Sequence, residues 1–171
     1  MVFNKIMRLR IVSTLALVAC LLPLPGCSGS AASQDITKIV AVTDVKTGWF
    51  DAGIEKGMNK LVPTIMLTLK NASNEKVSLV QLNAVMRRVG EQEEWGGAYT
   101  RAIGSEGLAP GASTKPIVLR SNLGYTGVEP RNVMLKNSKF VDTHIQLFAK
   151  HGGANWVKLG EYPVSRELLT Q

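Results

Sequence analysis

The chain has 171 residues, with 20 Lys+Arg against 13 Asp+Glu and a formal charge of +7. Lys5, Arg8 and Arg10 precede Cys27 and no acid does, so the remainder carries 17 basic residues against 13 acidic ones, or +4. That balance argues against nucleic acid as a partner. Both cysteines, Cys20 and Cys27, lie near the start, which excludes a disulfide framework or a cysteine-built zinc site in the rest.

The first thirty residues have the layout of an export signal. A basic start is followed by the apolar run Ile11 to Leu24 and then by Pro25, Gly26 and Cys27. An uncleaved membrane span is the competing reading. It needs about 20 apolar residues, and this run is shorter and interrupted by Ser13, Thr14 and Pro23.

"LPGC" (Leu24 to Cys27) resembles the lipobox of bacterial lipoproteins. The resemblance implies a diacylglycerol thioether on Cys27 and cleavage just before it, so that residues 1–26 form the signal peptide. "LVAC" (Leu17 to Cys20) offers a second lipobox. Cys20 is followed by the apolar "LLPLPG", however, and Cys27 by the small polar "SGSAASQ", which has the composition of a flexible tether. Cys27 is therefore the expected lipid attachment site, with residues 27–35 as tether. Cleavage near Ser30 to Ser33 is a third reading and yields a soluble exported protein. Ser28, next to the cysteine, is not Asp. In a Gram-negative host the lipoprotein resemblance then implies the periplasmic face of the outer membrane. Cofactors and bound metals are expected to be none.

Residues 36–171 read as one all-β domain. "ITKIVAVTDV" (Ile36 to Val45) is rich in β-branched residues and predicts a first strand. Lys46 to Lys60 contains three glycines and reads as a long connection with a helical turn. In Leu61 to Asn71, Ile65, Leu67 and Leu69 alternate with polar positions. Val80, Leu82, Ala84 and Met86 do the same in Ser78 to Gly90, so each predicts a half-buried strand. A short strand is expected around Trp95 to Arg101. Pro110-Gly111 signals a type II turn before a strand at Lys115 to Ser121. Asn122 to Lys139 reads as irregular, with a short helix from Pro130 to Lys136. Phe140 to Lys150 and Trp156 to Val164 complete about seven strands, the first of these with Val141, Thr143, Ile145, Leu147 and Ala149 toward the core. "SRELLTQ" reads as a tail. Many short strands separated by turns predict an antiparallel sandwich of the immunoglobulin-like kind.

"LTLKNASNEKVSLVQLNAVM", followed by "GLAPGAST", resembles the small immunoglobulin-like domains of exported bacterial proteins, including FxLYD and late-embryogenesis-abundant types. The shared rhythm is a strand ending in Asn-x-Ser, an alternating strand, and a Leu-x-Pro-Gly turn. The Phe-x-Leu-Tyr-Asp signature itself does not occur. The resemblance implies a non-catalytic binding or assembly module. Its partners would be the membrane, through Cys27, and an envelope protein or polymer.

Chemistry-bearing motifs are sparse. Asp142 and His144 stand two apart on an expected strand and so share a face, which is the one arrangement that could serve a tethered hydrolase. An exposed polar face is the plainer reading. No Gly-x-Ser-x-Gly elbow and no His/Glu/His metal spacing is present. "EQEE" (Glu91 to Glu94) reads as solvated hairpin and Asn71-Ala72-Ser73 as a turn. Trp49-Phe50 in the first long connection, and Tyr125 with Arg131 in the second, are the candidate contact anchors. The plainer reading of the first pair is that it caps the core. A soluble small-ligand carrier is the remaining alternative.

Overall fold

The computed structural model describes residues 35–169. Cys20, Cys27 and the signal-peptide and lipidation readings that rest on them lie outside these residues. Among the described residues no helix is long and apolar enough to cross a membrane.

Eight strands form two antiparallel four-stranded sheets. After a helical turn α1 (Ile36–Ile39), the first sheet is built from β1 (Val40–Glu55), β2 (Met58–Asn71), β5 (Ile117–Arg120) and β6 (Tyr125–Gly127). Its order is β1-β2-β5, with β6 pairing the other end of β2. The second sheet contains β3 (Val80–Arg88), β4 (Gly96–Ile103), β7 (Thr143–His151) and β8 (Val157–Pro163), in the order β4-β3-β7-β8. In immunoglobulin strand names these sheets are A-B-E and C′-C-F-G, the Greek-key arrangement of that fold. A second short helix, α2 (Arg131–Met134), lies between β6 and β7.

The expected alternation carries the core. Ile65, Leu67 and Leu69 from β2 meet Val80, Leu82, Ala84 and Met86 from β3, and Ile145, Leu147 and Ala149 from β7, and all are essentially inaccessible to solvent. Each residue points to the face its parity dictates, so a one-residue slip would expose the whole set. Thr143 is buried as expected. Val141 precedes the strand and is exposed.

Four further expectations are corrected. Ile36 to Ile39 is helical, because Asp35 caps it. The Asp35 carboxylate accepts from the Thr37 amide (3.1 Å) and hydroxyl (2.8 Å), which starts a turn that β-branching alone would not. Lys46 to Lys60 is not a connection. It is the upper part of a long β1–β2 hairpin, closed at Lys56-Gly57 with φ of +50° and +80°. Positive φ at both central residues is the type I′ requirement, which makes Gly57 a turn residue. The irregular stretch after Asn122 contains β6, which pairs Tyr125–Gly127 with Leu61–Asn59. The final residues are not a free tail. Glu167 and Leu169 bond to both backbone polar groups of Trp49, so the chain end covers part of the β1 edge.

The Pro110-Gly111 turn forms as expected, with the Ala112 amide bonded to the Ala109 carbonyl (3.1 Å) and Gly111 at φ +72°. Asn71, at the end of β2, does more than turn the chain. Its side chain is fully buried and makes four hydrogen bonds, joining the 71–75 turn to Leu108.

The register gives the sandwich two distinct ends. The chain enters through α1 at the end that holds the 72–79, 104–116 and 152–156 loops. The β1–β2 hairpin tip, the 89–95 turn and the 121–142 segment lie at the other end. The Thr47 hydroxyl bonds to the carbonyl of Pro163, the last residue of β8. The hairpin beyond Thr47 therefore overtops the second sheet.

Candidate functional site

The overtopping half of the hairpin would expose both faces without a cover. The 121–142 segment supplies one. β6 pairs with β2, α2 follows, and Met134, Leu135 and Phe140 are buried against the core. Trp49 becomes the centre of this end. It is fully buried, with Phe140 at 4.6 Å in an edge arrangement, Tyr125 at 5.6 Å and Trp95 at 6.3 Å between ring centroids. Tyr125 in turn stands 4.5 Å from Phe140 and 4.9 Å from Trp95. Edge and tilted contacts of this kind add about 0.5–1.5 kcal/mol each beyond burial. Trp49 therefore caps the core and is not itself a contact anchor. Phe50 is half-buried, with the Arg120 guanidinium stacked 3.6 Å from its centroid.

The structure brings together the two segments that the sequence nominated separately. Asp51, two residues after Trp49, forms an ion pair with Arg131 at the start of α2. The Arg131 guanidinium holds the Asp51 carboxyl below its ordinary value of 3.8, helped by the Gly53 amide. Asn59 donates to the Glu129 carbonyl (2.8 Å) from the other hairpin arm.

Arg166 was not found by sequence reading. It donates to the Asp142 carboxylate (2.6 Å) and to the carbonyls of Phe140 (2.7 Å) and Leu135 (3.4 Å), and lies 5.4 Å from the Phe140 ring. One side chain near the C-terminus thus latches the 135–142 loop. No local pattern could have signalled it, because its partners are 24 to 31 residues away.

A cleft of about 240 Å³ opens beside this cluster. Tyr125, Met134 and Phe140 give it an apolar wall, and Glu129, Asn137 and Lys139 a polar rim. Pockets that engulf drug-sized ligands run to about 300–1,000 Å³. This one is sized for a side chain or a short segment. The surface around it is unusually apolar. Of the eleven large apolar side chains exposed among the described residues, seven lie at this end: Ile54, Val89, Leu123, Val128, Val133, Val141 and Leu168. Ile54 and Val128 are the most exposed, at 71% and 78%.

Asp142 and His144 are each engaged elsewhere. Asp142 is held by Arg166, while His144 faces Glu161 on the neighbouring β8 at 3.6 Å. No hydrogen bond joins the two among the described residues. His144 lines a shallow polar groove with Arg87, Gln146 and Glu161. Glu161 also accepts from Lys158 and Gln146, and Lys158 chiefly holds its carboxyl below the ordinary 4.5. His151 closes β7 opposite Val80. Glu91 pairs with Arg88 (2.8 Å) in the polar turn. No group of three or more His, Cys, Asp or Glu is placed to hold a metal ion among the described residues.

No family model and no curated protein matches the chain. Among solved structures, the X-ray structure of Northeast Structural Genomics Consortium target SoR45 is similar over 77% of this chain and 89% of that one, at 9% identity and a TM-score of 0.41.

Proposed function

We propose that the protein is an extracytoplasmic lipoprotein, anchored through Cys27, that works as a non-catalytic binding or assembly module of the cell envelope. The observation that carries this reading is polarity. The "LPGC" box and the "SGSAASQ" tether join the sandwich at α1, and the aromatic-walled cleft lies at the opposite end, which also carries most of the exposed apolar side chains. Asp35 stands eight positions after Cys27, with seven residues between them. Fully extended this stretch reaches roughly 26–29 Å, so the anchor constrains the α1 end and leaves the far end free. Exposed apolar side chains gathered at one end of a domain are characteristic of protein contact sites. A cleft smaller than the pockets that engulf drug-sized ligands favours a partner's side chain or loop over a carried molecule of that size.

The anchor is tested by growing cells with a fatty-acid analogue. The wild type should be labelled and Cys27→Ala should not, while Cys20→Ala should keep the label. Loss of label in Cys20→Ala alone would move the site to the earlier box. The working end is tested by photo-crosslinking in intact cells. A crosslinker at Val128 or Val133 should capture a discrete protein that one at Lys76 or Lys115 does not. Equal capture from both ends would overturn the assignment.

A further inference from the structure

The outer face of the second sheet carries a group of residues that the core does not explain. Gln81 pairs with Arg101 of β4 on one side and with Lys150 of β7 on the other, so the three form one row across the sheet. Asn83 likewise joins Tyr99 and Phe148, and Phe148 pairs with Lys158 of β8. Their odd and even partners Val80, Leu82, Leu147 and Ala149 fill the core, so these two rows face outward. Trp156, just before β8, lies over them. Its ring meets Tyr99 edge-on at 6.2 Å, and the Lys150 ammonium stands 5.0 Å from its centroid. The Tyr99 hydroxyl is oriented by Gln81 (2.8 Å).

Two large aromatics thus remain exposed over the outer face of this sheet, Tyr99 at 60% and Trp156 at 39%. The cations beside them are unneutralised. Lys158 has Glu161, but Arg101 and Lys150 have no ion-pair partner among the described residues. Trp and Tyr with Lys and Arg is the composition of a surface that sits at lipid headgroups, where amphipathic rings and cations both find partners.

Position supports the same occupant. The Gln81 row is one residue from the start of β3, at the end where the chain enters, and α1, which leads into β1 of the first sheet, also packs against β7 and β8 of this one. The tether therefore holds this end of the sandwich, with the Gln81 row, within its reach of the bilayer, and not the far cleft. We propose that the Tyr99–Trp156–Lys150–Arg101 face docks on an anionic bilayer surface and sets the orientation of the domain beside its anchor. This rests on the lipoprotein reading. It extends that reading by giving the sandwich its own membrane contact beside the anchor.

The test is tryptophan quenching by brominated lipid. Trp49 is buried and Trp95 half-buried, so Trp156 is the accessible reporter among the three. The mature lipidated chain is reconstituted into phosphatidylglycerol-rich vesicles carrying acyl-brominated lipid. Quenching should be strong, should vanish in Trp156→Phe, and should fall in phosphatidylcholine vesicles or high salt. Each cation near an anionic surface contributes roughly fivefold to its contact equilibrium, so an Arg101→Gln/Lys150→Gln variant should lower docking by about 25-fold. Vesicle-bound, fatty-acid-labelled protein with no Trp156 quenching overturns the docking face while leaving the anchor intact. Absence of lipid on the purified chain overturns the anchor. Flotation of that chain with the same vesicles then decides the face, which must still prefer anionic over zwitterionic lipid. Protection of Trp156 by a soluble anionic polysaccharide, without quenching by bilayers, would assign the face to a polymer and overturn the proposal.

Discussion

Replacing Asn71 removes four hydrogen bonds from a site with no solvent access. Its carbonyl oxygen accepts from the Ser73 amide (2.9 Å) and hydroxyl (2.8 Å), and its amide donates to the carbonyls of Glu75 and Leu108 (2.8 Å each). In Asn71→Ala those two carbonyls each keep one donor, the Ser73 hydroxyl (3.0 Å) and the Val77 amide (3.0 Å), so neither is orphaned. The Ser73 amide loses its acceptor. At a net 0.5–1.5 kcal/mol per bond, the loss comes to about 2–6 kcal/mol. For a domain of this size that lowers the thermal midpoint by roughly 10 °C. Asn71→Asp should be worse at neutral pH, because a carboxylate oxygen would face the two carbonyl oxygens that the amide now serves. The neutral acid is favoured in that site, so the introduced carboxyl has a raised folded-state pKa. Its deficit should therefore narrow as pH falls toward about 4. Urea denaturation of the purified domain-bearing chain at pH 7 and pH 4.5 measures both effects. A loss below 1 kcal/mol for Asn71→Ala, or an Asn71→Asp no less stable than the alanine variant at pH 7, would refute this account of the turn.

Trp49→Ala should cost about 3–5 kcal/mol through the cavity it leaves. Trp49→Phe should cost much less, because it keeps a ring against Phe140 and removes an indole N–H that has no partner among the described residues. Equilibrium unfolding distinguishes the two. Arg166→Ala should loosen the 135–142 loop and leave the sheets intact, read as faster amide exchange around Phe140 with unchanged protection in β3 and β7. Asp51, Glu55 and Glu161 all have folded-state pKa values lowered by a cationic partner, Arg131, Lys60 and Lys158 respectively. Their stabilisation is present above the ordinary carboxylate values of 3.8 and 4.5 and is lost as pH falls through the lower folded values. Because these groups are solvent-exposed, the acid-side slope should be shallow and should flatten further in salt, which denaturation midpoints across pH 6 to about 3 will show.

The strands that alternate strictly were legible without coordinates. In β2, β3 and β7 the apolar parity is local information, and burial of one sheet face leaves it only one solution. The Pro110-Gly111 turn was legible for the same reason, since its two residues set their own dihedrals. The leader, with Cys27 and Cys20, is wholly a sequence inference. Local pattern was insufficient wherever distant chain decided the outcome. Lys46 to Lys60 has the glycines of a loop, yet it is strand because β6 and α2 fold over it. Asp142 and His144 have the spacing of a pair, yet Arg166 and Glu161, distant in sequence, engage one each. Trp49 caps the core as the plainer sequence reading had it, but the rings of Tyr125 and Phe140 that enclose it come from distant chain. Parity within a strand is written in neighbouring residues, but which end of a sandwich is covered, and which is left open to a partner, depends on contacts made across the whole chain.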